Sequence, residues 1–179
     1  NLRIMRRTLI NQISKRCDKS KEIITGVVHA LLSRSIFIKY LEERKDSNGE
    51  TVFPQDFYCN FMESAKWYTD VLNSKEATYN LFLTLKDKFN GDTLQVSEIE
   101  TEIITQDDLD ELRTFILGDS ELESRQLTLW PLYSFDIIPI QLISSIYELF
   151  FHLSDEEDEK GTYYTPLHLV NLVMDEVYP

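Results

Sequence analysis

The residue types that usually carry out catalysis are few in this sequence and widely spaced. The three histidines, His29, His152 and His168, form no HExxH motif, and none stands at metal-ligand spacing from a second ligand. The two cysteines, Cys17 and Cys59, cannot form a CxxC metal knuckle or a disulfide framework, so we expect reduced thiols packed as small hydrophobic residues. The sequence therefore predicts no catalytic residues of its own and no bound metal ion.

Motifs for nucleotide binding and for nucleophilic catalysis are also missing from the sequence. The five glycines stand singly, so no glycine-rich loop can hold a phosphate, and there is no GxSxG motif. Acidic residues are plentiful, but the sequence places no two of them in an apolar cleft for acid–base catalysis. His29 lies within an apolar segment and is expected to be a hydrogen-bonded core histidine.

Positive charge is concentrated in the first 21 residues, which carry seven basic side chains against one acidic, a net +6. Cationic side chains on an exposed face are what contact with a DNA backbone requires. A solvated helix face with no partner explains the same pattern and is the simpler interpretation. The candidates for a weak contact with the DNA backbone are Arg3, Arg6, Arg7, Lys15 and Arg16.

A second candidate site lies near the end of the sequence, where Thr165 and Pro166 have the types expected at an N-cap and at the first position of a helix. Such a helix start presents free backbone N–H groups and the positive end of the helix dipole, which suit a carboxylate. Tyr164 could add an aromatic wall beside it. The alternative is that Thr165 only caps the helix, while Tyr163 and Tyr164 pack against a neighbour.

Helices are expected to position these residues. Hydrophobic residues recur at intervals of three and four, and only five glycines and five prolines interrupt 179 residues. One apolar stripe predicts a helix over residues 2–15. Residues 21–45 are apolar almost all round, which predicts a buried central helix. Residues 54–58 predict a short turn of helix.

Capping patterns predict two further helix starts. Asn73 with Glu76 three residues later reads as a capping box, and the helix that it opens is expected to stop at an Asn-Gly pair. Thr105 with Asp108 gives a second box, whose helix is closed by Gly118. Both helices carry hydrophobic residues at helical spacing, which predicts that each has a buried face.

The last third of the sequence predicts less regular structure. Residues 125–136 lack a helical period and contain a proline, so we expect an extended connection with room for one short β element. Residues 140–153 predict a strongly apolar helix, and the acidic run 155–159 predicts a solvated loop. The predicted fold class is mainly α: an irregular helical bundle with a buried central helix and a C-terminal helical tail.

Composition and charge exclude several classes of protein. The chain has 42% hydrophobic residues, enough for a core, and 18 basic against 31 acidic side chains. The net charge of −13 argues against an ordinary free-standing nucleic-acid-binding protein and against attraction to anionic membranes. There is no run of 18 or more apolar residues and no signal-peptide pattern, so the expected location is the cytoplasm, without membrane contact.

Four phrases, in order along the chain, resemble one protein family. Residues 31–44 (LLSRSIFIKYLEER) resemble the helical signature near the N-terminus of adenine-N6 DNA methyltransferases of restriction-modification systems, above all the fused restriction–methylase group, with type I modification subunits as cousins. Residues 88–92 (KFNGD) resemble a turn further along in these proteins. Residues 133–148 resemble the helix before the catalytic domain, and residues 160–166 (KGTYYTP) the G-x-[FY]-Y-T-P motif before the methyl-donor loop.

The resemblance implies a site-specific methyltransferase whose cofactor is S-adenosylmethionine (SAM), with Tyr164, Thr165 and Pro166 contributing to the cofactor pocket. Two motifs of the family are not in this sequence: the Asp-Pro-x-x-Gly-x-Gly-like loop and the Asn-Pro-Pro-Tyr-like tetrapeptide that holds the flipped adenine. The expectation is therefore a fragment that is not active alone and binds SAM weakly or not at all. The expected partners are double-stranded DNA, through a parent enzyme that could also carry an endonuclease, and the other domains of that enzyme.

A different interpretation is a non-enzymatic, acidic helical interaction module, or an acidic mimic of DNA. The net charge of −13 motivates it, but a mimic would spread its carboxylates over one face, and these are expected to cluster in loops. On the methyltransferase interpretation the chain divides into a helical N-terminal domain (1–153), an acidic linker (154–161) and the start of the SAM-dependent methyltransferase domain (162–179).

Overall fold

The computed structural model describes residues 2–89 and 94–118 of the chain, and these residues are mainly helical, as the periodicity predicts. The helices are α1 (Leu2–Arg16), α2 (Lys21–Glu43), α3 (Tyr68–Val71), α4 (Lys75–Phe89), α5 (Glu98–Ile103) and α6 (Gln106–Leu117). A short 3-10 helix, Phe57–Asn60, lies between α2 and α3, where a helical turn was expected slightly earlier. The described ranges contain no β-strand, only an isolated antiparallel bridge between Lys45 and Thr51.

The predicted buried central helix is confirmed as α2. Its first turn is capped by Ser20, whose Oγ accepts a hydrogen bond from the backbone N–H of Ile23 at 3.4 Å. Fourteen of its 23 residues are buried, which requires neighbours on several sides. By length and composition α2 is the one helix in the described ranges that is apolar enough to cross a membrane, but 72% of its apolar window is buried inside the protein. That burial is the pattern of a core helix.

Helix α1 packs against α2 more extensively than any other pair of helices in the described part of the chain. The predicted apolar stripe is confirmed, because Met5, Leu9 and Ile13 are all buried, and Ile10 joins them. Burying one such side chain contributes about 1.5–3 kcal/mol. The opposite side of α1 is therefore free to carry polar residues.

The capping box predicted at Asn73 and Glu76 is wrong. Helix α4 begins at Lys75, and the hydroxyl of Ser74 accepts the hydrogen bond from the backbone N–H of Ala77 at 3.2 Å. The side-chain amide of Asn73 instead donates to the carbonyl of Asp70 at 2.9 Å, which closes the turn that follows α3. Asparagine and serine both favour the N-cap position, so Asn73 and Ser74 are both candidates from the sequence. Ser74 takes the position because the side chain of Asn73 is used in the turn after α3.

The second predicted box is confirmed at the start of α6. The carboxylate of Asp108 accepts a hydrogen bond from the backbone N–H of Thr105 at 2.8 Å, in a reciprocal capping box. Gly118 ends the helix with a φ of 79°, the left-handed conformation that favours glycine. Just before α6, the short helix α5 is capped by Ser97, whose hydroxyl accepts from the N–H of Glu100 at 3.1 Å.

Several predictions fall on residues that the structure does not describe. These are the end of α4 at the Asn-Gly pair, the extended connection and β element of 125–136, the helix of 140–153, the acidic linker 154–161 and the C-terminal helical tail with the start of the second domain at 162–179.

Candidate nucleic-acid interface

The five cations predicted to contact DNA all lie on α1, which contains no acidic residue. Arg3, Arg7 and Lys15 are exposed. Together with the exposed Asn11 they follow one another at intervals of four residues, so they form a single ridge on the helix surface, named the α1 ridge below. At 1.5 Å per residue, the α1 ridge extends over about 18 Å of the helix axis.

Arg6 points instead toward the core. Its Nε donates a hydrogen bond to Nε2 of His29 on α2, at 2.5 Å. Burial, and then the positive charge of Arg6, lower the pKa of His29 to about 4. The imidazole is therefore neutral at pH 7 and can accept this bond, so the prediction of a hydrogen-bonded core histidine is confirmed.

Arg16 ties the end of α1 to the start of α6. Its Nη2 donates to the carboxylate of Asp108, which is completely buried, and to the carbonyl of Ile103 at 3.2 Å. The same carboxylate closes the capping box of α6, so one group serves two elements. Close by, the exposed side chains of Lys19 and Glu102 make a looser ion pair at 3.6 Å. The basic segment thus docks partly on an acidic one.

The structure therefore divides the five predicted cations. Arg3, Arg7 and Lys15 lie on the exposed α1 ridge; Arg6, which is half-buried, hydrogen-bonds to His29 of α2, and Arg16, although exposed, hydrogen-bonds to Ile103 and Asp108. Sequence reasoning could not separate the two groups, because the partner of Arg16 lies 92 residues further along the chain.

A buried ion pair that the sequence reasoning missed lies in the middle of α2. Arg34 is fully buried and forms a two-bond pair with Glu100 of α5, at 2.7 Å and 3.2 Å. The Arg34 guanidinium also donates to the carbonyl of Gln95 and lies 4.5 Å from the ring centroid of Phe82. The hydroxyl of Tyr79 donates to Glu100 at 3.3 Å. The available signal was a single arginine, flanked by Ser33 and Ser35, within the predicted buried helix.

A second buried carboxylate lies at the end of α2. Glu42 accepts hydrogen bonds from the ammonium of Lys39 and, at 2.5 Å, from the backbone N–H of Tyr68. Burial, and then the charge of Glu42, raise the pKa of the nearby Tyr58 hydroxyl. Arg34 and Glu42, two polar residues of the 31–44 phrase, thus hold loops and helices onto α2, and neither is aimed at an open site.

Two open clefts lie in the described part of the chain. One, of about 330 Å³, is a mainly apolar groove between the first half of α2 and the segment that leads into α5. The other, of about 600 Å³, lies between the 3-10 helix and the second half of α4. Among residues 2–89 and 94–118 no three histidine, cysteine or acidic side chains are grouped as metal ligands would be. The predicted cofactor residues Tyr164, Thr165 and Pro166 lie outside the described residues.

No protein-family model, curated protein or solved structure matches this chain.

Proposed function

We propose that this chain belongs to a SAM-dependent, site-specific adenine-N6 DNA methyltransferase of a restriction-modification system, and that its helices form the domain that precedes the catalytic domain. The observation that carries the proposal is the occurrence of four family-like phrases in the family's order, from residue 31 to residue 166. The substrate would be adenine in double-stranded DNA. The cofactor would be SAM, contacted by Tyr164, Thr165 and Pro166 at a helix start.

The helical architecture supports the proposal. The first phrase, residues 31–44, lies in the second half of the central helix and runs one residue past its end. Its arginine Arg34 and its glutamate Glu42 make the buried contacts that attach later segments to α2. These contacts are what the framework helix of a supporting domain would need, so the polar residues of the phrase fit that role.

The distribution of charge disfavours the alternative of a DNA mimic for the described helices. Residues 2–89 and 94–118 carry 16 basic and 18 acidic side chains, so they are nearly neutral, and most of the net charge of −13 belongs to the remaining residues. Two of the described carboxylates, Glu100 and Asp108, are buried and paired with arginines. The general expectation that the carboxylates cluster in loops does not hold for residues 98–111, where all seven acidic residues lie on α5 and α6.

The proposal is tested by the product of the whole gene. We expect the reading frame to continue into a strand and an Asp-Pro-x-x-Gly-x-Gly-like loop, with an Asn-Pro-Pro-Tyr-like tetrapeptide beyond. The complete protein, expressed in a host that lacks adenine methylation, should leave N6-methyladenine at one sequence motif in the host DNA, detected by single-molecule sequencing against an empty-vector control. A stop codon directly after Pro179 would favour the interaction module instead.

SAM binding gives an independent test. The 179-residue chain has no Asp-Pro-x-x-Gly-x-Gly-like loop, so we expect titration calorimetry to detect weak binding of SAM or none. Micromolar affinity would contradict this expectation.

A further inference from the structure

We infer that the apolar groove between α2 and α5 is a docking site for residues 140–153 of the same chain. The groove, named the α2–α5 groove below, is formed by the first half of α2 and by residues 95–100. Residues 140–153 lie outside the described residues. The inference does not depend on the proposed function, and it goes beyond that function by assigning an occupant to one surface of the helical domain.

The α2–α5 groove is the open side of an otherwise buried helix. Ile23 is 40% exposed, Gly26 is exposed and Ala30 is half-buried, although fourteen of the 23 residues of α2 are buried. These three positions are three and four residues apart, so they lie on one face of the helix. On α5, Ile99 lines the same groove and is 38% exposed. Both helices thus present apolar side chains to a groove of about 330 Å³.

Three of the four polar side chains that line the groove already have partners within the protein. The carboxylate of Glu100 is paired with Arg34, the hydroxyl of Ser97 caps α5, and Glu22 is hydrogen-bonded to Ser20 in the first turn of α2. Sites for small molecules combine an apolar lining with a few polar groups that orient the ligand. A row of hydrophobic side chains therefore fits this groove better than a polar metabolite does.

Residues 140–153 have the composition that such a groove requires. Nine of these 14 residues are hydrophobic, Glu148 is the only acidic one, and there is no lysine or arginine. Ile143, Ile146, Phe150 and Leu153 recur at intervals of three and four, which predicts an apolar stripe on a helix. The neighbouring segments are less suitable, because 125–136 contains a proline and 155–159 is entirely acidic. Burial of the stripe in an apolar groove is favoured by the hydrophobic effect.

The chain is long enough to bring this stripe to the groove. About 20 residues separate the end of α6 from residue 140, and when extended they span up to about 70 Å. A compact unit of about 110 residues, the size of the described part, has a radius of gyration of about 13 Å. Along α2 the groove extends from Ile23 to Ala30, which is about 10 Å of the helix axis, so it can take two turns of a second helix.

Hydrogen exchange of the 179-residue chain, followed by mass spectrometry, tests the docking. The variant Gly26→Leu fills the groove, and no atom lies within 4 Å of a Cβ added at Gly26, so the described helices can accommodate the new side chain. We expect the amides of 140–153 to exchange about tenfold faster in this variant than in the wild type, while those of α2 keep their protection. The control Asn11→Leu places the same side chain at an exposed position of α1 and should leave this exchange unchanged. Unchanged exchange in Gly26→Leu, or equal acceleration in both variants, would overturn the inference.

The urea midpoint of Gly26→Leu gives a second test, which depends on the sign of the change. Leucine favours a helix more than glycine does, so the substitution would raise the midpoint if the groove were empty. Displacement of a docked segment removes buried apolar contacts, so we expect the midpoint to fall instead. A midpoint at or above that of the wild type would contradict the docking.

Disulfide trapping identifies the occupant directly. With both native cysteines changed to serine, Gly26→Cys is combined in turn with a cysteine at each of the stripe positions Ile143, Ile146 and Phe150. A disulfide needs Cα atoms within about 7 Å of each other, so at least one pair should form an intramolecular disulfide under mild oxidation, and Asn11→Cys with the same partners should form none.

Two results of this experiment would overturn the inference. Disulfides between two chains would assign the groove to a second copy, and the absence of a disulfide in all three pairs would assign it to some other partner. These measurements are independent of the N6-methyladenine assay, so the inference can fail while the proposed function stands.

Discussion

The substitution Glu100→Gln is expected to destabilise the protein strongly, because it leaves a buried charge without its partner. Both members of the pair are almost completely buried, at 0% exposure for the Arg34 side chain and 1% for Glu100. The change replaces the carboxylate that accepts both guanidinium bonds and the hydroxyl of Tyr79 with a neutral amide of the same shape. Arg34 would then keep only the carbonyl of Gln95 and the face of Phe82.

The size of the effect follows from the burial. Removing one partner of a buried ion pair costs about 3–5 kcal/mol. The amide oxygen can still accept one hydrogen bond, so the expected cost of Glu100→Gln is about 3 kcal/mol, at the low end of this range. Native domains are stable by about 5–15 kcal/mol, so this loss is a large part of the total. The double variant Arg34→Met/Glu100→Leu removes both charges and should be less destabilised than Glu100→Gln alone.

Urea unfolding followed by circular dichroism measures these differences. The matched control is Glu102→Gln, the same chemical change two residues further along α5, where the Lys19 pair is exposed at 37% and 64%. An exposed pair of this kind contributes about 0–1 kcal/mol, so the control should unfold close to the wild type. If Glu100→Gln costs no more than Glu102→Gln, or if the double variant is as unstable as the sum of its two single changes, the pair does not have the role described here.

Three further outcomes are expected. The pKa of His29 is 6.5 in the unfolded chain and about 4 in the folded protein, so only the unfolded chain binds a proton there between these pH values. Lowering the pH from 6.5 to 4 should therefore reduce the free energy of unfolding. Over this pH range the urea midpoint of His29→Gln should fall less than that of the wild type. Ser74→Ala should cost about 1 kcal/mol in the same assay, whereas Asn73→Ala should cost clearly less, and the reverse order would restore the cap to Asn73. Gly118→Ala should lower stability by about 1–2 kcal/mol because of its positive φ, and an unchanged melting temperature would contradict this.

The long, periodic parts of the fold could be predicted from the sequence. The apolar stripe of α1, the all-round apolar character of α2 and the capping box of α6 each reflect a local rule that the structure obeys. Helix α5 was not predicted, because it has only six residues and four of its side chains are charged or polar. Its position depends on the buried pair with Arg34, and such a contact between distant segments leaves little local signal.

The sequence was enough to predict an excess of positive charge at the candidate interface, but not which of the cations bond to other helices. Counting charges found the basic segment, and helical spacing places three of its cations on one ridge. The internal roles of Arg6 and Arg16 depend on His29 and Asp108, which lie 23 and 92 residues away. A pattern read along the chain does not show such distant partners, so the sequence could not separate Arg6 and Arg16 from the other three candidates.

The bond between Arg16 and Asp108 also bears on the order in which the domain folds. Bringing together residues separated by 92 positions costs about 4 kcal/mol of chain entropy, more than one partly exposed ion pair returns. Helix α1 must therefore first be held by its nearby apolar neighbours on α2, and the link to α6 can close only on that helical hairpin. During synthesis, the N-terminal hairpin emerges well before Asp108, so the link between α1 and α6 can close only after α6 has left the ribosome.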